Sequence, residues 1–571
     1  MTKRLILALL LSCSPLWATT YYVDNCVTVG NDRNNGASTS TPWLTINKVN
    51  TSKFYPGDSI LFESTCTWRE QLTVPSSGSA GSPITFGAYG TGAAPIISGA
   101  NLFTSWTLSS GSVYYTSYST APNQVFEDGG RLTQSTVGTA SLTAGQWYLD
   151  TVNSRIWVYL TAGDSPSGHT MEASQRQYAI YGSGISYVTI SGLEASESNG
   201  AGSSEEAGSG IHCNTCTNLL VTGVTVLYNY NDGVRLDYGS NNVVSYSRAA
   251  YNGANGFANY GAASLFDHLV AYYNNQLAGG DGEQSYGAGI KFDSAPNQIV
   301  QYSTSYGNGV GQSPVSAAVD GIWCDTCGSG FTAQYNLVYD NTGEGIFVEA
   351  NSGQISVLYN VVYGNLDWGI ELAADNTSIP MSGSIVAGNT SYGNAGAQIA
   401  IDAANFPGGC VNNLVYNNIA FQVSGNTPFR VYGGCENPGT NGSGNVYTYN
   451  NFGTATTNFI EWGHGVLYST YSSWETATGN CGTVGCSHSI EAAPTFANAS
   501  AGQFWLTSGS PGIGAGLNLG SPYNIGLMPG SAWPTGVTTG PTNTPPDIGA
   551  FVYVPPVALI PPSNLLVLSV H

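Results

Sequence analysis

Charged side chains are scarce in this chain, and basic ones are the scarcest. Only 8% of the 571 residues are Asp, Glu, Lys or Arg, and 13 basic residues against 34 acidic ones give a formal net charge of −21. Proteins that bind nucleic acid present basic surfaces to the phosphates, so this composition argues against such a partner. It also disfavours tight binding of polyanionic sugars unless a cation intervenes.

Long hydrophobic runs are also missing. No stretch reaches the roughly 18 consecutive apolar residues that a membrane span needs. A short apolar run at residues 5–11 follows Lys3 and Arg4 and precedes a small residue at Ala18, a pattern typical of a secretory signal peptide. We therefore expect residues 1–18 to be removed and the protein to be secreted or extracytoplasmic. An alternative, acylation at Cys13, would attach it to the cell surface.

Ten cysteines remain after that cleavage, an even number that suits an oxidising compartment. Two CxxC pairs fall at equivalent positions of repeats too far apart to share one ion, so we predict no metal site and interpret them as local disulfides or buried thiols. The CxxC pairs are Cys213/Cys216 and Cys324/Cys327, and the other expected pairs are Cys26/Cys66, Cys410/Cys435 and Cys481/Cys486.

A five-residue pattern that begins with glycine recurs seven times in the middle of the chain. Its starts are 23 to 33 residues apart, which predicts a solenoid with one turn of chain per repeat. The segments are GIHCN at Gly210, GVRLD at Gly233, GFANY at Gly256, GIKFD at Gly289, GIWCD at Gly321, GIFVE at Gly345 and GIELA at Gly369.

The second and fourth positions of these segments are mostly apolar, the alternation of a strand with one buried face. The third and fifth positions should then point outward. They concentrate the few charges of the chain on one stripe, which we predict to be the functional face. The third position contains His212, Arg235, Lys291, Trp323 and Glu371, and the fifth contains Asp237, Asp293, Asp325 and Glu349.

Each repeat also has a second strand that ends in asparagine, as in LVAYYNN and NVVYGN. Asparagine tolerates left-handed backbone, and stacked asparagines form hydrogen bonds from one turn to the next. We therefore assign these residues to structure, in left-handed turns, and not to chemistry.

The flanking segments suggest how the solenoid is closed and interrupted. TPWLTINKVN at Thr41 predicts a short amphipathic helix that caps the open N-terminal end. Residues 101–174 break the rhythm and are rich in Trp and Tyr, which predicts a β-rich insertion, either a wall of a sugar-binding cleft or a small packed subdomain. The solenoid domain should occupy residues 19–554, and 555–571 should form a Pro-rich tail.

The YYVDN opening, the GIxxx and YxN repeats and the DIGAFVY ending resemble the right-handed parallel β-helix, pectate-lyase-like proteins of secreted polysaccharide metabolism. The resemblance implies an all-β fold and a partner that is a polysaccharide or oligosaccharide. It does not identify the reaction, because lyases, hydrolases, epimerases and adhesins share these motifs. We expect a monomer.

Asp325 and Glu349 occupy the same outward position on consecutive repeats, so their backbones should lie about 4.8 Å apart on parallel strands. Retaining glycosidases need two carboxyl groups about 5 to 5.5 Å apart. The run GIWCD, NLVYDN and GIFVE also resembles the active-site segment of β-helix β-xylosidases, which implies that Asp325 is the nucleophile and Glu349 the acid/base. This prediction is a glycoside hydrolase that requires no cofactor.

Other assignments remain open. Asp293 and Glu349, two strands apart at about 9.6 Å, would suit an inverting hydrolase. In a polysaccharide lyase, Lys291 would be the base and nearby acids would bind calcium. A third alternative is a non-catalytic glycan-binding surface or adhesion protein. Trp323 is expected to stack on a sugar ring, and further subsites would use Arg235, Asp237, His212 and Glu371, unless these form ion pairs between turns.

Overall fold

A computed structural model describes residues 18–200, 206–277, 287–312, 318–349, 354–374, 381–402, 410–423, 425, 427–432, 435–436, 442–463, 465–478 and 488–556. The predicted cleavage segment up to residue 17, most of the predicted tail and the pair Cys481/Cys486 lie outside these residues. The described chain forms two compact units. The N-terminal unit runs to Leu265 and includes residues 274–277, and the C-terminal unit contains Phe266–Tyr273 and the described residues from 287 to 556 except Gln312.

The N-terminal unit is built of coils, each with three short strands that pair in parallel with the equivalent strands of the next coil. The first column of strands is Thr20–Val23, Ser59–Glu63, Ile84–Tyr89, Val188–Ser191, Leu220–Thr222 and Val243–Ser245. The second is Leu72–Thr73, Ile180–Ser183, Ile211–Asn214, Val234–Asp237 and Phe257–Asn259, and the third is Thr67–Trp68, Ile96–Ser98, Glu194–Ser196, Thr225–Leu227 and Arg248–Ala250.

The C-terminal unit repeats this arrangement. Its first column is Phe266 and Asp267 of the strand Leu265–Asp267, then Ile299–Gln301, Thr332–Gln334, Ser356–Leu358, Ile385–Ala387, Leu414–Tyr416 and Val446–Thr448. Its second is Ala288–Asp293, Asp320–Asp325, Ile346–Glu349, Ile370–Ala373, Ile399–Asp402, Phe429–Tyr432, Ile460–Trp462 and the antiparallel Leu467–Tyr468. Its third is Val270–Tyr272, Thr304–Tyr306, Leu337–Tyr339, Val361–Tyr363, Thr390–Tyr392 and Ile419–Phe421, and a small parallel sheet adds Met381–Ser382, Cys410–Val411 and Gly442–Ser443.

The predicted alternation is confirmed by burial. In the strands of the glycine pattern, the second and fourth positions are at most 2% exposed, for example Ile322 and Cys324 on one coil and Ile346 and Val348 on the next. These side chains stack from coil to coil because paired strands are in register, with Ile322 opposite Ile346. The fold is the predicted all-β, right-handed parallel β-helix.

Asparagine ladders run along the interior of both units. In the C-terminal unit Asn336 donates from Nδ2 to Asn360 Oδ1 at 3.0 Å, and Asn360 repeats this contact with Asn389 at 3.0 Å. The same Asn360 Oδ1 accepts the backbone N–H of Asn336, and Asn360 Nδ2 donates to Ala333 O at 2.9 Å. Each ladder residue thus satisfies backbone groups of neighbouring coils as well as the next side chain, which confirms the structural assignment.

The expectation of left-handed backbone at the strand-ending asparagines is confirmed for Asn275 (60°) of LVAYYNN and is wrong by one residue at Asn341 and Asn365, where Asp340 (54°) and Gly364 (67°) have the positive φ. The positive φ belongs to the residue before the ladder, as at Tyr335 (57°) and Tyr359 (54°), which precede Asn336 and Asn360. The left-handed residue turns the chain so that the following asparagine points inward while its own ring points outward. These rings stack between coils, with centroids 5.8 Å apart for this pair.

The C-terminal segment covers this tyrosine stack. It contains the hairpins Phe496–Asn498/Gln503–Leu506 and Ile525–Leu527/Thr539–Pro541. Tyr335 Oη donates to Ile525 O at 3.0 Å, Tyr359 Oη donates to Tyr523 O at 2.6 Å, and Trp533 Nε1 donates to Tyr335 O at 2.7 Å. The outward rings therefore form a packing surface for the end of the chain.

The predicted N-terminal helix is present, and it is short. It spans Ile46–Asn50, begins after the N-cap Thr45, and buries Ile46 and Val49 together with the preceding Trp43. A second helix spans Tyr471–Thr478, and single 3-10 turns occur at Thr139–Ser141, Pro166–Gly168 and Ala499–Ala501. Among the described residues, no helix combines the length and the hydropathy that a membrane crossing requires.

The β-rich insertion consists of two sheets around a core of its own. One contains Thr107–Ser110, Val113–Ser117, Thr133–Gln134, Gln146–Asp150 and Arg155–Tyr159, and the other contains Ala100–Leu102, Val125–Glu127, Gly130–Arg131 and Met171–Ser174. Trp147, Ile156 and Val158 are buried between them. The insertion contacts the coils through Arg131, whose guanidinium donates to Tyr251 O at 2.8 Å.

Four predicted cysteine pairs are disulfide-bonded in the structure. These are Cys26–Cys66, Cys213–Cys216, Cys324–Cys327 and Cys410–Cys435. The two CxxC pairs are therefore local disulfides on single coils.

Replacing Asn360 with Ala should destabilise the C-terminal unit by about 3 kcal/mol or more, because it leaves the buried Asn336 N–H and Ala333 C=O without these partners, at about 1–3 kcal/mol each. Thermal unfolding followed by circular dichroism measures the effect. The exposed helical Asn47→Ala is the matched control and should change the midpoint little. Equal midpoints for the two variants would show that the ladder does not stabilise the coils.

The buried Glu197 should make stability depend on pH. Burial, and to a lesser extent the negative charge of Glu172, raises the pKa of its carboxyl to about 7. Because the folded pKa lies above the unfolded one, its contribution to stability is fully present below about pH 4.5 and is lost as pH rises through 7. Glu197→Gln should therefore match the parent at pH 4.5 and gain stability over it by pH 8.

The control for this experiment is Asp128→Asn. Hydrogen bonds from His169 and from the Thr170 N–H lower the pKa of the Asp128 carboxyl. Loss of the Asp128 carboxylate should lower the stability at neutral pH, whereas Glu197→Gln should raise it. Parallel melting profiles of the parent and Glu197→Gln across this pH range would refute the assignment.

Candidate functional site

Three acidic residues form a row on consecutive strands of the C-terminal unit. Asp293 is the register partner of Asp325, and Asp325 is the register partner of Glu349. Adjacent strands of a sheet lie about 4.8 Å apart, so residues separated by 24 or 32 positions in sequence become lateral neighbours. The register is the one that the repeat predicts.

Asp325 and Glu349 are each half-buried and have different partners. Lys291 Nζ lies 3.7 Å from Asp325 Oδ2 and 3.9 Å from the centroid of the Trp323 ring. Trp323 Nε1 donates a hydrogen bond to Glu349 Oε2 at 3.0 Å. The side chain of Trp323 therefore contacts both Lys291, which faces Asp325, and Glu349.

Asp293 has hydrogen-bond donors of its own. Its Oδ1 accepts from Thr326 Oγ1 at 3.0 Å and from the Ser294 hydroxyl. These hydroxyl groups come from the turns that follow its own strand and the next one. The contacts fix the orientation of the Asp293 carboxylate and separate its surroundings from those of Asp325 and Glu349.

His212, Arg235 and Asp237 form a buried network in the N-terminal unit. His212 Nε2 lies 2.7 Å from Asp237 Oδ2, and Arg235 Nε donates to both oxygens of Asp237 at 3.1 Å. Arg235 also contacts the buried Asp232 at 3.2 Å. These residues are at most 5% exposed. His212 and Asp237 belong to neighbouring coils, so their contact is of the kind between turns that the sequence left as an alternative, whereas Arg235 pairs with Asp232 and Asp237 of its own coil. Their role in sugar binding stays a prediction.

Among the described residues, three clusters have the composition of a metal site, and one of them, Asp24 with Cys26 and Cys66, contains cysteines that are bonded to each other in a disulfide. Glu206, His212 and Asp237 place one possible ligand atom each within 4.8 Å of one another. The guanidinium of Arg235 already supplies positive charge to Asp237, which disfavours a cation there. Glu127, Asp164 and His169 form the third cluster, in the insertion, where hydrogen bonds to Asp128 and Asp164 raise the pKa of His169 to about 9.

A second acidic cluster in the C-terminal unit was not predicted. Asp320 begins the strand that ends at Asp325, and its Oδ1 accepts the Glu344 N–H at 2.9 Å. Burial and the neighbouring Glu344 carboxylate raise the pKa of Asp320 well above its usual value, and Glu371 adds to this. Burial, with Glu344, also raises the pKa of Asp367 to about 6. In the sequence, Asp320, Glu344 and Asp367 each stand one or two residues before the glycine that begins a repeat, and this pattern is the signal that could have identified them.

Glu371 lies in the outward third-position column, as predicted, and is 5% exposed. The register of that column runs from Lys291 to Trp323, Phe347 and Glu371, and then to Ala400, Arg430 and Glu461. Sequence reasoning did not identify Arg430 and Glu461, because their segments lack the leading glycine. The apolar positions on either side of Arg430, in FRVY, are the signal that would have placed it.

Comparisons with known proteins agree with this fold. A family model described as "right handed beta helix region" matches residues 158–270 and 209–383. A solved complex of XylC with xylose is similar at a TM-score of 0.55 and 16% identity, over 70% of this chain and 75% of that one. Lacto-N-biosidase from Eubacterium ramulus has a TM-score of 0.47 at 17% identity, over 78% and 68% of the two chains.

A curated relative matches a short segment. Lacto-N-biosidase of Bifidobacterium longum subsp. longum is 40% identical over 75 residues, which is 12% of this chain and 5% of that protein's length. The family-model match and the similarity to the XylC structure confirm the resemblance to right-handed parallel β-helix proteins, a group that includes carbohydrate-active enzymes.

Proposed function

We propose that this protein is a retaining glycoside hydrolase in which Asp325 is the nucleophile and Glu349 the acid/base. The observation that carries the proposal is the register pairing of these residues, each half-buried, with a cation next to one and an indole N–H bonded to the other. The short match to a lacto-N-biosidase and the fold shared with a xylose-bound protein support a carbohydrate substrate.

The spacing of the two strands favours the retaining mechanism. Carboxyl groups about 5 to 5.5 Å apart suit a covalent intermediate, whereas about 6.5 to 9.5 Å leaves room for an attacking water molecule. Asp325 and Glu349 are on adjacent strands at about 4.8 Å, and Asp293 and Glu349 are two strands apart. Asp293 is also restrained by two hydroxyl donors, which makes it the weaker candidate for a nucleophile.

The contacts favour a different catalytic role for each of the two carboxyl groups. The Lys291 ammonium stabilises negative charge on Asp325, whose oxygen would attack the anomeric carbon. Glu349 would give its proton to the leaving glycosidic oxygen, and would then take a proton from the water that cleaves the glycosyl-enzyme bond. The Trp323 indole orients Glu349 for both steps.

The contacts of Lys291 support the lyase alternative less well than the hydrolase. A lyase base must be neutral and must reach the proton next to the uronate carboxylate. The Lys291 side chain is only 5% exposed, and both its aspartate and its ring contact suit a charged ammonium. The geometry therefore favours an electrostatic role for Lys291 over proton abstraction.

Asp325→Asn and Glu349→Gln should each lower kcat/KM on the cleaved oligosaccharide by about 10²–10⁴-fold, because each removes a group that acts in the transition state. Glu349→Gln should keep more activity on a nitrophenyl glycoside, whose leaving group needs no proton. Xylo-oligosaccharides and glycosides of lacto-N-biose are the first substrates to assay, by released reducing ends, with chelator present.

Asp267→Asn, at an aspartate outside this row, is the matched control and should keep parental activity. Products that absorb in the ultraviolet, and a loss of activity confined to Lys291→Ala or to added chelator, would contradict the hydrolase and favour the lyase. Glycan affinity without turnover of any substrate would favour the binding protein.

A further inference from the structure

A cavity of about 330 Å³ opens in the C-terminal unit beyond the proposed catalytic pair. Its lining includes an aromatic ring, an arginine, an acid and two further polar side chains. These five residues are Trp368, Arg430, Glu461, Thr427 and Asn458, and Gly396 is among the remaining lining residues. A recess with one aromatic wall and a few polar groups has the composition of a small-molecule site.

The aromatic and charged walls of the cavity are positioned by direct contacts. Arg430 Nε donates to Glu461 Oε2 at 2.6 Å, and the Arg430 guanidinium carbon lies 5.4 Å from the centroid of the Trp368 ring. Gly396 packs against the indole edge, where a Cβ would lie 1.9 Å from Trp368 Cδ1. Any larger residue at position 396 would therefore displace the ring.

The cavity lies along the same face as Asp325 and Glu349. Strand Ile346–Glu349 pairs with Ile370–Ala373, then with Ile399–Asp402 and then with Phe429–Tyr432, which contains Arg430. Three strand spacings amount to about 14 Å. An oligosaccharide cleaved at the carboxyl pair would have to be a few sugar residues long to reach this point.

We propose that this cavity is a distal subsite that binds one neutral sugar residue of an oligosaccharide, an inference that rests on the proposed function for the identity of the reaction. The Trp368 ring offers an apolar face to the C–H groups of a sugar ring. The guanidinium of Arg430 and the carboxylate of Glu461 present planar, paired hydrogen-bonding groups that match vicinal hydroxyls.

Charge around the cavity selects a neutral residue over a uronate. Arg430 is already paired with Glu461 and so does not present an unbalanced positive charge. Asp367, immediately before Trp368, and its acidic neighbour Glu344 add negative charge to this region. A second carboxylate brought by the ligand would meet repulsion.

The test measures binding separately from cleavage. In the Glu349→Gln background, calorimetry would give the Kd of xylotetraose, lacto-N-tetraose and trigalacturonate for the full chain. Trp368→Ala should weaken binding of the neutral tetrasaccharide about tenfold, since the stacking surface is lost. Trp368→Phe keeps an aromatic face and should restore most of the affinity, which also controls for misfolding. Arg430→Lys keeps the charge, loses the planar fork and should weaken binding.

The outcomes separate this inference from the proposed function. Cleavage by the parent protein with unchanged tetrasaccharide affinity in Trp368→Ala would overturn the subsite and leave the hydrolase intact. Trp368-dependent binding without any cleavage would refute the hydrolase and support the subsite. Binding of none of the three probes, or tighter binding of trigalacturonate than of the neutral sugars, would also overturn the inference.

Discussion

In-register stacking of parallel strands is the constraint from which the rest of this structure follows. Each coil contributes one residue to every column, so side chains 23 to 34 residues apart in the repeats become neighbours at the strand spacing. The buried asparagine ladders fix this register, since residues such as Asn360 bond to both the preceding and the following coil. A shift of one residue would turn the acids of the outward columns into the core.

The outward columns of this acidic chain share one electrostatic arrangement. A cation lies over an aromatic ring and beside a carboxylate at Lys291 with Trp323 and Asp325, and again at Arg430 with Trp368 and Glu461. In the N-terminal unit Arg235 lies 4.4 Å from the Tyr260 ring centroid and contacts Asp237. With so few basic residues in the chain, each of these cations fixes acids that would otherwise repel one another.

Sequence alone was sufficient for the fold and for the lateral order of the acids. Alternation within GIWCD and GIFVE determines which side chains are inward, and the repeat length determines that Asp325 faces Glu349. The sequence did not predict which outward side chains are buried, because the exposure of an outward side chain depends on what covers it. His212 and Arg235 are outward by register and yet almost fully buried.

The sequence also did not predict which of these side chains contact one another. Periodicity places Lys291, Trp323 and Glu349 on one face, but rotamers decide that the indole N–H meets Glu349 and that the ammonium lies over the ring. Asp320 and Arg430 were missed for a related reason. Asp320 precedes the glycine, outside the positions that alternation assigns, and the Arg430 strand has no glycine to mark it.

The pairing of Asp325 with Glu349 is tested most directly by covalent trapping with a 2-deoxy-2-fluoro glycoside of the cleaved sugar, followed by peptide mass spectrometry. Because a retaining mechanism accumulates the glycosyl-enzyme when its hydrolysis is slowed, we expect a single labelled carboxylate, Asp325. Label on Asp293 or Glu349, or turnover with inversion and no label at all, would contradict the assignment of Asp325 and Glu349 as the working pair.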